Sequence, residues 1–137
     1  QRKATFSAQV NSKWIKDQKV EIRNKVQNKG GTMRLGAYHA KIKKGTMAYS
    51  IYKKAIVSER HRHRFEVNVN YQEALEDNGL TFSGFSQDGL LPEVVELSSH
   101  PFFLGVQFHP ELKSKPFEPH TIFSAFIKKA LEQTRLV

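Results

Sequence analysis

Apolar and polar positions change their period several times along the chain, and each change predicts an element. Tyr38, Ala40 and Ile42 alternate with polar neighbours, which predicts a strand closed by a Lys44-Gly45 turn. AIVSERHRHRFEVNV, residues 55–69, reads as extended chain interrupted by a charged loop. At NYQEALEDNGL the period lengthens: Tyr71, Ala74, Leu75 and Asn78 share one helical face and Gly79 supplies the stop, so a short helix is expected. LTFSGFS and PEVVEL predict two short strands around a turn at residues 87–89. FFLGVQF, residues 102–108, is almost continuously apolar, the pattern of a strand buried on both faces. Near the end Ile122, Phe123, Phe126, Ile127, Ala130 and Leu131 fall at helical spacing, with Lys128, Lys129 and Arg135 toward the C-terminal end of that helix.

Residues 1–29 are a basic lead segment in which Trp14, Ile15, Val20, Ile22 and Val26 are spaced too loosely for a convincing period. The KGG at residues 29–31 breaks any helix there. Strands, helix, strands and helix in that order predict an α/β fold, an open sheet with flanking helices, and the portion from residue 30 to residue 137 is expected to be part of a larger sheet.

A chain of 137 residues with 39% hydrophobic and 11% aromatic residues can bury one core and is too short for two ordinary domains. No run of eighteen apolar residues occurs, which excludes a membrane-spanning helix from the reading. The opening QRKATFSAQV has basic residues without an apolar stretch after them and no initiator Met, so it is read as a cut or a continuation. Cysteine is absent, which removes disulfides, thiolate metal sites and a cysteine nucleophile from what this chain can itself supply, and a reducing, cytoplasmic setting fits. Residues 1–64 hold 17 Lys/Arg against 3 Asp/Glu, whereas residues 65–137 hold 5 against 10. That asymmetry marks either a solvated basic face or a surface for anions, and it keeps open a non-catalytic module that binds nucleic acid or acidic protein. Nucleic acid is the weaker partner, because no interleaved aromatics or binding motif accompany the charge.

Two stretches carry candidate chemistry. In GVQFHPE, His109 and Glu111 stand two apart, so in extended chain the carboxylate reaches back to the imidazole and fixes which nitrogen bears the proton, while Pro110 stiffens the spacing. A histidine so held can take a proton from a nucleophile and return it to a leaving amine. Its plainer alternative is a partly exposed histidine beside an unrelated acid. Ser86 is a poor nucleophile candidate, since SGFSQDG lacks the G-x-S-x-G spacing and no helix pattern follows it. In ERHRHRFE, alternation puts His61 and His63 on one face and Arg60, Arg62 and Arg64 on the other. The arginines suit a carboxylate or a phosphate, and the two histidines lack a third ligand for a metal.

GGTMRLGAY, SERHRHRFEVN, GLTFSGFSQDG and HPFFLGVQFHPELKSKP, with the spacing between them, resemble the C-terminal part of CTP synthases, over about residues 12–130. FHPE is shared across class I glutamine amidotransferases, whereas GTMRLG and ERHRHR are more particular to CTP synthases. The resemblance implies a partial class I glutamine amidotransferase fold lacking its upstream strands and its nucleophile turn. It implies that His109 is the base of a glutaminase triad and Glu111 its orienting acid, that Arg64 holds the glutamine α-carboxylate, and that the backbone at Phe65 borders the same pocket. The third triad member, a cysteine, would lie on another stretch of polypeptide, so the chain alone is expected to be inactive. ATP and magnesium belong to a synthase domain outside these residues. Glutamine, the cysteine-bearing segment and the synthase domain are the implied partners, with no membrane and with oligomers formed through the parent enzyme. A departure from the family pattern is Pro92, tolerable as the first residue of a strand.

Overall fold

The computed structural model describes residues 33–134 and, ahead of them, two short strands, β1 (Lys13–Lys16) and β2 (Lys19–Ile22), which pair antiparallel. The lead segment therefore holds a regular element that its loose apolar spacing did not announce. Its glycine pair at residues 30–31 lies outside the described residues.

The main sheet has five strands: β3 (Arg34–Ile42), β4 (Ile56–His63), β5 (Leu80–Ser86), β6 (Pro92–Leu97) and β7 (Leu104–Val106). Their spatial order is β4-β3-β5-β6-β7, every neighbouring pair is antiparallel, and the sheet is open. Helices α1 (Met47–Tyr52), α2 (Gln72–Glu76) and α3 (Thr121–Thr134) flank it, as the α/β expectation required. Alternation explains β3 directly: Arg34, Ala40 and Ile42 are buried, and Leu35, Ala37, His39 and Lys41 are exposed. The predicted turn follows, with Gly45 at φ +81°, where a side chain would be strained. Helix α1 then starts under a double cap. Thr46 Oγ1 accepts from Tyr49 N at 3.2 Å, and the buried Glu96 carboxylate accepts from Met47 N at 2.8 Å and Ala48 N at 3.0 Å, filling the N–H groups that a helix start leaves unpaired.

Two expectations are corrected. The charged run after Ser58 is strand, not loop: β4 pairs with β3 without a break from Ile56 opposite Lys41 to His63 opposite Arg34. A strand can carry these charges because alternation sends Arg60 and Arg62 to solvent while Val57, Glu59 and His61 turn inward, where Glu59 pairs with His120 and the His61 ring packs on Phe108. At residues 102–108 only Leu104–Val106 form strand, at the sheet edge beyond β6, and Phe103 remains 44% exposed. An edge strand has a neighbour on one side only, so its apolar run is half covered. Phe108, 3% exposed, instead joins Ala40, Ile42, Ala48, Val57, Val94 and Ile122 in the core. The expected helix at residues 71–78 is the single turn α2 after a 3-10 turn, Val69–Tyr71, and Gly79 stops it at φ +90°. Pro92 opens β6, where a missing N–H is tolerated.

Candidate functional site

After β7 the chain drops Phe108 into the core and presents His109 at the surface, where the backbone N–H of His109 donates to the Arg60 carbonyl of β4 at 2.8 Å. Pro110 is buried and opens a 3-10 turn, Pro110–Leu112, its fixed φ suiting the first position of a helical turn. That turn, rather than extended chain, brings Glu111 Oε1 to 2.6 Å from His109 Nδ1. The predicted pair therefore forms by a different backbone route. The hydrogen bond from His109, with a second from the residue's own backbone, holds the Glu111 carboxyl below the usual carboxylate range. An ionised carboxylate only accepts, so Nδ1 carries the proton and the Nε2 lone pair is left for proton transfer. The two side chains are 39% and 58% exposed, open to a reacting group from outside.

Buried ionisable residues lie on and beside β4, and of these only His61 and His63 had been weighed from the sequence, as metal ligands. Glu59 is 1% exposed; its Oε1 accepts from Tyr52 Oη at 3.0 Å and pairs with His120 Nε2 at 2.9 Å, and its Oε2 lies 3.6 Å from Lys113 Nζ. Burial, then the charge of Glu59, raises the Tyr52 hydroxyl pKa above its ordinary value. His61, also 1% exposed, stacks edge-on against Phe108 with ring centroids 5.8 Å apart and lies 5.1 Å from the His63 ring. Arg34 is ion-paired with the buried Glu93 and lies 3.5 Å from Glu66, whose other neighbour is His63 Nε2 at 3.0 Å. A signal for these residues was present in the sequence: Glu59, His61 and His63 share the parity of Val57, the inward side of β4.

Arg64 and Phe65 sit in the bend that follows β4, both exposed, Phe65 at 45%. Among the described residues no hydrogen bond, ion pair or ring contact joins either side chain to His109 or Glu111, so the structure brings His109 and Glu111 together and leaves Arg64 and Phe65 apart from them, just past the end of β4. A cavity of about 380 Å³ lies elsewhere, lined by Arg34, Tyr38 and Ser86 among others, and touches none of the four. Ser86 is engaged structurally: its hydroxyl hydrogen-bonds Asp88 and accepts from Leu91 N at 2.9 Å. Among the described residues no group of three or more His, Cys, Asp or Glu could hold a metal ion, and no helix is long and apolar enough to cross a membrane.

The family model "Glutamine amidotransferase class-I" matches residues 5–129. The CTP synthase of Maricaulis maris is 57% identical over 126 residues, and that of Brucella anthropi 56% over 126. Each alignment covers 92% of this chain and 23% of the relative, so the chain spans about a quarter of the length of the curated relatives it matches. Among solved structures, the glutaminase domain of Trypanosoma brucei CTPS with bound acivicin superposes with a TM-score of 0.69 at 42% identity, over 73% of this chain and 40% of that one.

Proposed function

The chain belongs to the class-I glutamine amidotransferase family, and on that premise we propose that it is the C-terminal part of the glutaminase domain of a CTP synthase, supplying the acid–base half of the site. The 2.6 Å contact between His109 Nδ1 and Glu111 Oε1, in a chain with no cysteine of its own, is the observation that carries this reading. A cysteine on another stretch of polypeptide is the nucleophile. A free thiol has a pKa of about 8.5, so near neutrality it depends on a base. His109 Nε2 takes the thiol proton as sulfur attacks the side-chain amide carbon of glutamine. It then passes that proton to the departing nitrogen, which leaves as ammonia when the C–N bond breaks. Water, deprotonated by the same Nε2, cleaves the thioester to glutamate and restores the thiol. Glu111 supports the imidazolium formed in each half-reaction; such acid–base help is worth about 10²- to 10⁴-fold.

Arg64, with its planar fork exposed at the end of β4, is assigned to the glutamine α-carboxylate, and the backbone at Phe65 to the border of the same pocket. Selecting free glutamine over a peptide-bound one requires reading that carboxylate. The whole protein would use the ammonia with UTP and ATP to make CTP, and ATP and magnesium would be held by a synthase domain outside these residues.

Mixing the chain with a polypeptide that bears the cysteine turn should restore glutamate release from glutamine, and His109→Ala should abolish it. No release from the mixture, or release that survives His109→Ala, counts against the assignment.

A further inference from the structure

Glu59 is a fully buried carboxylate that the reaction above does not use, and its partners converge from three directions. Tyr52 reaches it from the end of α1, Lys113 from the turn after Glu111, and His120 from the residue before α3. The tautomer of His120 follows from its two bonds. Nδ1 accepts from Ile122 N at 3.3 Å, so Nε2 carries the proton and donates to Glu59. His120 N in turn donates to Ser114 Oγ at 3.0 Å, tying the loop to itself.

The same stretch is fastened to the β4 backbone on either side of Glu59. Lys113 Nζ donates to the Ser58 carbonyl at 2.5 Å, and His109 N donates to the Arg60 carbonyl at 2.8 Å. Residues 58, 59 and 60 thus each hold one part of residues 109–120, the stretch on which His109 and Glu111 both lie. Glu111 itself is exposed and, among the described residues, its side chain bonds only to its histidine, so the geometry of the pair is set by how firmly this loop is held.

We propose that Glu59 is a positioning residue of the glutaminase: as a buried anion it clamps Lys113 and His120, and thereby fixes the turn that keeps Glu111 on His109 Nδ1 and Nε2 free. The proposal rests on the reading of His109 and Glu111 as base and partner. Charge matters as well as shape. Oε1 of the carboxylate accepts from Tyr52 and His120 while Oε2 faces the Lys113 ammonium at 3.6 Å as an ion pair, whereas a glutamine of the same size offers one oxygen and turns an amide N–H₂ toward either Lys113 or the Tyr52–His120 side.

The test has a spectroscopic and a kinetic arm. In the isotope-labelled chain, the imidazole Nδ1 proton of His109, assigned by its loss in His109→Gln, should shift or be lost to solvent exchange in Glu59→Gln while the backbone amide spectrum stays dispersed. If Glu59→Gln fails to fold, Lys113→Met removes a partly exposed anchor and should move the same resonance. An unmoved His109 signal in the folded variant overturns the proposal. In the reconstituted glutaminase, Glu59→Gln should lower kcat by about 10- to 10²-fold, the cost of a small misplacement of a reacting group, with KM for glutamine unchanged and with exposed Glu118→Gln as the neutral control. Unchanged kcat in Glu59→Gln beside lost turnover in His109→Ala would refute the positioning role alone. Turnover that survives His109→Ala would refute the functional reading, and the resonance would still decide whether Glu59 holds the loop.

Discussion

His61 on β4 and Glu93 on β6 face each other at 3.6 Å, Nε2 to Oε2, with both side chains fully out of solvent. Burial, and then the charges of Arg34, His63 and His109, pushes His61 from 6.5 down to about 3, so the ring is neutral through the acid range. Burial pushes Glu93 the other way, from 4.5 up to about 7, outweighing its ion pair with Arg34. The two groups give opposite pH slopes. Between about 3 and 6.5 the unfolded chain binds the His61 proton and the folded one does not, so this stability is present above 6.5 and is lost as pH falls. Between 4.5 and about 7 the folded protein keeps a proton on Glu93 that the unfolded chain has released, so that stability is present below 4.5 and is lost as pH rises. In the shared window, 4.5 to 6.5, the contributions cancel, and below 4.5 His61 makes the fold acid-sensitive. His61→Leu should remove one side of the balance, so that stability falls steadily from pH 4.5 to 7. Urea midpoints across pH read this out, and superimposable profiles for the two proteins would contradict it.

Gly84 and Val94 make a second, purely steric prediction. They are paired where the β5–β6 register shifts, and a Cβ built on Gly84 would stand 2.7 Å from Val94 Cγ2 and 3.1 Å from Ile42 Cδ1. Val94 is 1% exposed and cannot swing away, so Gly84→Ala should cost about 1–3 kcal/mol as overpacking. Val94→Ala on top of it should recover part of that loss. Denaturant melts of the single and double variants measure both, and a neutral Gly84→Ala would show that the sheet relaxes there.

Local period made much of this legible. Parity set His61 and His63 on the face opposite Arg60 and Arg62, though a charged loop was expected to interrupt that strand, and a two-residue spacing found the His109–Glu111 pair. What pairs across the sheet was not legible, because order β4-β3-β5-β6-β7 brings Arg34 to Glu93 and Glu59 to His120 over about sixty residues, and no local pattern encodes such a meeting. The apolar run at residues 102–108 was over-read for a related reason. Composition cannot distinguish a strand covered on two sides from a three-residue edge strand followed by a buried Phe108. Charge alone marked Arg64 as one of three arginines that suit an anion, whereas its assignment to the glutamine carboxylate, and that of Phe65 to the same pocket, came through resemblance.

Arg64→Lys gives that experiment its sharpest form. If the guanidinium grips the glutamine α-carboxylate with two parallel N–H donors, an ammonium keeps the charge and loses the fork. The reconstituted glutaminase should then show KM for glutamine raised by about tenfold, the worth of one charge-assisted hydrogen bond, with kcat little changed. Because Arg64 makes no side-chain hydrogen bond or ion pair among the described residues, thermal stability should not move. Unchanged KM would remove Arg64 from the pocket.

Helix α3 carries the apolar residues that its helical spacing predicted, and most of them face solvent. Only Ile122 is buried, while Phe123, Phe126, Ile127 and Leu131 are 37%, 50%, 56% and 56% exposed. A row of large apolar side chains on one helix face is costly in water unless something covers it. The superposed glutaminase-domain chain is the longer of the two, 40% of it being covered by this chain, and under the proposed function the cysteine-bearing segment would be the occupant. Ile127→Lys with Leu131→Lys should leave the stability of the chain itself within about 0.5 kcal/mol per site, since both side chains already meet solvent. Association with the cysteine-bearing segment should weaken by at least about 10²-fold, because burying each side chain is worth about 1.5–3 kcal/mol. Titration of labelled chain with that segment measures the loss, and sedimentation should show that the double variant also self-associates less. Binding that is indifferent to both lysines would place the covering surface elsewhere on the sheet.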